Sequence, residues 1–191
     1  SRSFKRLPGR WMTGRHVVFS HGLEGGPWGT KIAALADVAR AEGFEVESVD
    51  YRGVRDPEAR VTRLLAYCRP YQGRLILVGS SLGGLVATAS ARLLRAEGLF
   101  LLAPAFYMDG HAQLQPAPPT CPIEIVHGWR DDVVPIESSV RFAREHGATL
   151  HVYDTDHRMH DRIRELTYLF EFFLARLDPL VSTLEVSGEG A

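Results

Sequence analysis

Four apolar residues, Leu75-Ile76-Leu77-Val78, run without a polar break into Gly79-Ser80-Ser81-Leu82-Gly83, and a stretch rich in small residues follows to Glu97. A strand apolar on both faces can be covered only by helices above and below it, which places it centrally in a parallel sheet. This constraint extends along the chain. His16–Ser20 reads as a buried strand, and Gly29–Glu42 carries Ile32, Leu35, Ala36 and Ala39 at helical spacing before Gly43. Phe44–Val49 alternates apolar and charged residues, as a strand near a sheet edge does. A helix from Asp56 to about Cys68 follows. Beyond the small-residue helix, Ser81 to Glu97, come a strand Leu99–Leu102, a loop Ala103–Thr120, a strand Ile123–His127 and a helix Glu137–Glu145. A strand Leu150–Tyr153 and a helix from about Asp161 to Arg176 complete the pattern. Alternation of this kind predicts an α/β fold: a doubly wound, mostly parallel sheet of about six strands with helices on both faces. The 191 residues fit one domain, 1–191. Residues 1–15 read as an irregular basic arm and 179–191 as a mobile tail.

Composition narrows the function. Twenty-two Lys and Arg against 23 Asp and Glu leave a formal net charge of −1, which gives no field for nucleic acid or an anionic membrane. The basic start is not followed by an apolar signal-peptide core, and Gly98–Phe106, the most apolar stretch, is too short to span a bilayer. Cys68 and Cys121 are the only cysteines and read as free thiols, so the expected compartment is the cytoplasm.

Gly79-Ser80-Ser81-Leu82-Gly83 fits G-x-S-x-G, with Ser81 and not Ser80 at the central position. A serine on so sharp a strand-to-helix turn is strained, with its hydroxyl above the sheet, and side chains at the flanking positions would collide. The bland reading of Ser81 is a helix N-cap. A serine nucleophile needs a base and an acid to orient it, and in such sheets both follow strands at their carboxyl ends. Two segments qualify: His127-Gly128-Trp129-Arg130-Asp131-Asp132-Val133-Val134-Pro135 and Asp154-Thr155-Asp156-His157. Asp109, Asp131 and Asp132 are open as the acid, and His157 and His160 as the base; His127 and His151 read as structural.

These segments resemble α/β-hydrolase fold serine esterases, in particular the small bacterial ones without a lid. The run from His127 resembles their HGxxDxxVP segment, whose aspartate matches Asp131, and the histidine after the last strand matches His157. His21-Gly22-Leu23 is similar to the family's HG-x signature, and the loop through Pro27 and Lys31 to the equivalent loop of the lidless esterases. The resemblance implies a reduced α/β-hydrolase fold without a cap domain and without the first two antiparallel strands. It implies a catalytic set of Ser81, Asp131 and His157 acting on a small-molecule acyl ester through an acyl-enzyme. Backbone N–H groups of Leu23 and Leu82 would form the oxyanion hole. The same residues would serve a thioesterase or another acyl hydrolase or transferase, or a triad-bearing receptor with poor turnover. No cofactor is implied. His157, His160 and Asp161 lack a third clear ligand position for a metal. Trp28, Phe106, Tyr107, Met108 and Trp129 are the expected frame of an open, shallow substrate site.

Overall fold

The structure is a computed structural model and describes residues 14–71, 75–111, 114 and 119–177. Most of the basic start and the whole of the tail read from the sequence lie outside the described residues. Six parallel strands form one sheet: β1 (His16–Ser20), β2 (Glu45–Val49), β3 (Leu75–Ser80), β4 (Gly98–Leu102), β5 (Ile123–Gly128) and β6 (Thr149–Tyr153). Their spatial order is β2-β1-β3-β4-β5-β6. The alternating strand is thus an edge, and the apolar run Leu75–Val78 lies between two neighbours.

Because side chains alternate along a strand, each strand divides its apolar residues between two cores. Val17, Phe19, Ile76, Val78, Phe100 and Leu102 point to one face. There they meet Leu35 and Ala39 of α1 (Thr30–Ala41) and Phe170 and Phe173 of α5 (Ile163–Arg176). Val18, Leu75, Leu77, Leu99 and Leu101 point to the other. They pack on Leu64 of α2 (Pro57–Cys68), Leu85 and Val86 of α3 (Leu82–Ala91) and Phe142 of α4 (Ile136–His146). Asp56 caps α2 by accepting the Ala59 N–H at 2.8 Å, and Pro57 occupies its first turn.

Two boundaries differ from the sequence reading. The helix expected over Ser81–Glu97 ends at Ala91, where the chain turns and Arg95 takes a left-handed conformation, φ 51°, to enter β4. That turn is made without glycine. The last helix begins as a 3₁₀ turn, His160–Arg162, before α5. The connection from β4 to β5 contains no helix among its described residues, and among the described residues no cap domain covers the strand ends. Cys68 and Cys121 are unpaired. No helix among the described residues is long and apolar enough to cross a membrane.

From β1 the chain first winds to β2, then returns past β1 to β3. The loops leaving β1 and β3 therefore part in opposite directions and open a crevice at their carboxyl ends. Gly22 and Ser81 lie there.

Candidate active site

Ser81 stands between β3 and α3 with φ 55° and ψ −121°, a conformation that a side chain adopts only at a cost of order 1–3 kcal/mol. Its own backbone holds the turn: Ser81 N–H donates to Leu102 at 2.9 Å, and its carbonyl accepts from Gly84 at 2.9 Å and Ala105 at 3.0 Å. The close approach also requires Gly83, where a Cβ would lie 2.0 Å from the Ser20 carbonyl oxygen. No N-cap hydrogen bond leaves the Ser81 side chain. Instead its hydroxyl donates to His157 Nε2 at 3.2 Å, and His157 Nδ1–H donates to Asp131 Oδ2 at 2.7 Å.

The loops bearing these partners are fastened together. Trp129 N–H donates to Tyr153 at 2.9 Å, Arg130 N–H to Thr155 at 3.0 Å, and the Arg130 side chain pairs with Asp154 at 2.7 Å. Gly128 permits that approach, since a Cβ there would lie 2.3 Å from the Thr155 oxygen. The Asp156 carboxylate accepts from Arg158 N–H at 2.9 Å and Met159 N–H at 3.1 Å, which fixes the turn carrying His157.

Asp131 is the more tightly held acid. Its Oδ1 accepts the N–H groups of Val133 (2.9 Å) and Val134 (2.8 Å), while Oδ2 accepts His157 and, at 3.0 Å, Nε2–H of the fully buried His127. Burial alone would raise the Asp131 pKa, but the bonds from His127, His157, Val134 and Val133 outweigh it and hold the carboxyl well below its usual range. Asp109 and Asp132 are exposed. His160 lies on the 3₁₀ turn, and His157 and Asp161 are bound to different partners, Asp131 and the Thr155 hydroxyl, so the three residues do not form a ligand set.

Leu82 and Leu23 present backbone N–H groups that carry no hydrogen bond among the described residues. Gly22 is tight against the elbow: a Cβ there would meet Ser81 Cβ at 3.3 Å and Ser81 Oγ at 4.0 Å. Of the expected frame, Trp28 and Trp129 are exposed, and Tyr107 and Met108 are partly buried. Tyr107 is turned to α4, its hydroxyl donating to Glu145 at 2.8 Å beneath Arg141. Phe106 requires correction. Its ring stacks on Phe142 at 4.0 Å and is only 1% exposed, so Phe106 belongs to the core and not to the frame of the site.

Three residues have surroundings that their place in the sequence does not announce. His127 read as structural, yet it donates to the same oxygen as His157. Lys31, on the first turn of α1, has its pKa pushed down to about 8 by burial, against the opposing pull of the Asp131 and Asp156 carboxylates. Arg60, on α2, is buried, although a charged residue on a surface helix is ordinarily exposed. Two surface grooves, of about 520 and 470 Å³, run along α5 and along α4 beside Trp129, and neither is lined by Ser81, Asp131 or His157. The His157 imidazole stays partly accessible, its side chain 18% exposed, while the Asp131 carboxylate behind it is fully buried.

A parallel sheet with a strained serine turn after its third strand, no cap, and a Ser-His-Asp line across three loops defines a lidless α/β hydrolase. Residues 17–186 match the model of the alpha/beta hydrolase family, and the chain belongs to that family. A solved structure from Xanthomonas campestris, assigned as a hydrolase of the alpha/beta superfamily, is 30% identical over 85% of this chain and 99% of its own, with a TM-score of 0.78. A second structure from that organism, described as an α/β serine hydrolase without a lid, is 21% identical over 91% of this chain and 86% of its own, TM-score 0.70. Among curated proteins, the mitochondrial palmitoyl-protein thioesterase ABHD10 of Bos taurus is 23% identical over 94% of this chain and 78% of its own.

Proposed function

We propose that this hydrolase cleaves small or exposed carboxylic esters through an acyl-enzyme, with Ser81 as nucleophile, His157 as general base and Asp131 as its orienting acid. The observation that carries the reading is the continuous line from Ser81 Oγ to His157 Nε2 (3.2 Å) and from His157 Nδ1 to Asp131 Oδ2 (2.7 Å). Asp131 and its four donors keep the carboxylate ionised, and an ionised carboxylate fixes the tautomer with the proton on Nδ1. Nε2 is then the free lone pair facing the hydroxyl.

Ser81 Oγ attacks the acyl carbon as its proton passes to Nε2. The carbonyl oxygen becomes an anion, received by the N–H groups of Leu82 and Leu23. Collapse of the tetrahedral intermediate breaks the bond to the leaving alcohol, which takes the proton from Nε2. Water then attacks the acyl-enzyme with His157 again as base, and the free acid leaves Ser81 restored. Pre-set donors cost no reorganisation at the moment charge develops, which is why the unpartnered amides matter more than any side chain there.

A thioester would be cleaved by the same steps, and the likeness to the bovine thioesterase supports that second reading. Two unpaired cysteines support a reducing compartment such as the cytoplasm. Turnover of p-nitrophenyl acetate and of the matching S-acetyl thioester, each measured on the wild type and on Ser81→Ala, tests both: the wild type cleaves at least one and the variant neither. Absence of turnover on both, with ligand-dependent thermal stabilisation, would favour a receptor.

A further inference from the structure

Arg60, on α2, is only 1% exposed, and among the described residues no carboxylate lies within ion-pair distance of it. A permanent cation is costly to bury unless its donors are satisfied. Here they are spent on main-chain oxygens. Nε donates to the Val54 carbonyl at 2.6 Å, and Nη1 donates to the His21 carbonyl at 2.9 Å with a longer contact to Gly22 O at 3.4 Å. The Tyr51 ring lies 4.9 Å from the guanidinium carbon. The side chain thus ties the loop after β2 to the loop after β1.

The same Gly22 carbonyl accepts a 2.7 Å bond from His21 Nδ1. The tautomer follows from geometry: Tyr51 N–H donates to His21 Nε2 at 2.9 Å, so Nε2 is the acceptor and Nδ1 carries the proton. Burial first, and the neighbouring Arg60 charge as well, lower the His21 pKa against the opposing bond to Gly22, which keeps the ring in that neutral form.

The peptide joining Gly22 and Leu23 is trans, so its N–H points opposite its carbonyl. With the carbonyl drawn into the His21–Arg60 knot, the Leu23 N–H faces away from it, and the Cβ side of Gly22 lies against Ser81, 3.3 Å from its Cβ and 4.0 Å from its Oγ. A donor pulling on a peptide oxygen also polarises that peptide, which strengthens its N–H as a donor. We infer that Arg60 is a positioning residue for catalysis: through His21 and the Gly22 carbonyl it aims and polarises the Leu23 N–H that receives the oxyanion. This rests on the proposed acyl-transfer reading.

The test compares wild type with Arg60→Lys and Arg60→Met on p-nitrophenyl acetate, with kcat expressed per phosphonate-titrated site and the Ki of an alkyl trifluoromethyl ketone measured beside it. Removing an oxyanion donor outright costs about 10²–10³ in kcat, and a misaimed one costs less. Both variants should lose about tenfold to a hundredfold in kcat per site with KM within about threefold, and the ketone Ki should weaken by the same factor. Unchanged kcat per site and Ki, with only a lowered melting temperature, would overturn the positioning role. Should the variants not fold, the wild type decides: hemiketal formation must move the Leu23 and Leu82 amide proton resonances downfield, and an unmoved Leu23 contradicts the inference. A wild type that neither turns over ester nor binds the ketone at Ser81 would instead overturn the acyl-transfer reading itself.

Discussion

His127 Nε2 lies 3.0 Å from Asp131 Oδ2, the oxygen that also accepts His157 Nδ1–H. His127 is held there from both ends: Ser139 Oγ is 2.8 Å from its Nδ1, and the Val134 carbonyl accepts at 2.9 Å from the same Nε2–H. Since Nε2 faces two acceptors it must carry the proton, so a neutral His127 accepts from the Ser139 hydroxyl.

Replacing His127 by alanine removes one of four donors from a buried carboxylate, and an unmet buried acceptor costs about 1–3 kcal/mol. His127→Ala is expected to lower kcat about tenfold to a hundredfold with KM little changed, and to lower the melting temperature. Steady-state kinetics normalised to titrated sites check this, and an unchanged kcat would reduce His127 to a packing residue.

The acid can be assigned by three conservative variants. Asp131→Asn would present the wrong partner to His157 Nδ1 and should lower kcat by about 10⁴. Asp109→Asn and Asp132→Asn change exposed side chains and should stay within about threefold. A large loss on Asp109→Asn would place the acid after β4.

The sheet was legible because its inner strands are largely apolar on both faces, and β2 betrayed itself as an edge through its charges. Ser81, Asp131 and His157 stood in motifs whose order the family shares, so their convergence followed from the loops they occupy. Residues that act through others were not legible. His127 and Arg60 work by bonds to a carboxylate and to carbonyls brought together from separate loops, and no local pattern announces such contacts. Phe106 misled for the opposite reason: an aromatic residue just past a strand end reads as a rim, yet its ring stacks on Phe142 in the core. The end of α3 was hidden because Arg95 supplies the left-handed residue that a reader seeks in glycine.

His16 and His21 are both buried, and burial is the largest cause lowering each pKa below the ordinary histidine value of about 6.5; Glu45 and Glu47 oppose it at His16, and the Gly22 carbonyl and Asp50 at His21. Below pH 6.5 the unfolded chain then binds protons that the folded chain resists, so stability rises with pH in that range. Their contribution is fully present above pH 6.5 and is lost as pH falls towards the folded values. Melting temperatures should drop from pH 7 to pH 5, and His16→Phe should flatten that slope. A slope unchanged in the variant would exclude His16 as a cause.

With no helix across the described part of the β4–β5 connection, an acyl chain gains about 0.8 kcal/mol per CH₂ only where it leaves water. kcat/KM across p-nitrophenyl esters is therefore expected to peak at short chains, without a jump at the micellar concentration. A steep rise to long chains would reveal a buried acyl pocket.

Every step of the proposed reaction starts from the Ser81 hydroxyl as nucleophile. Labelling with a fluorophosphonate and mapping the adduct by peptide mass spectrometry tests it directly. One adduct per chain on Ser81, abolished in Ser81→Ala together with all ester turnover, is the predicted result. An adduct on Ser80 or elsewhere, or ester turnover that survives in Ser81→Ala, would contradict it.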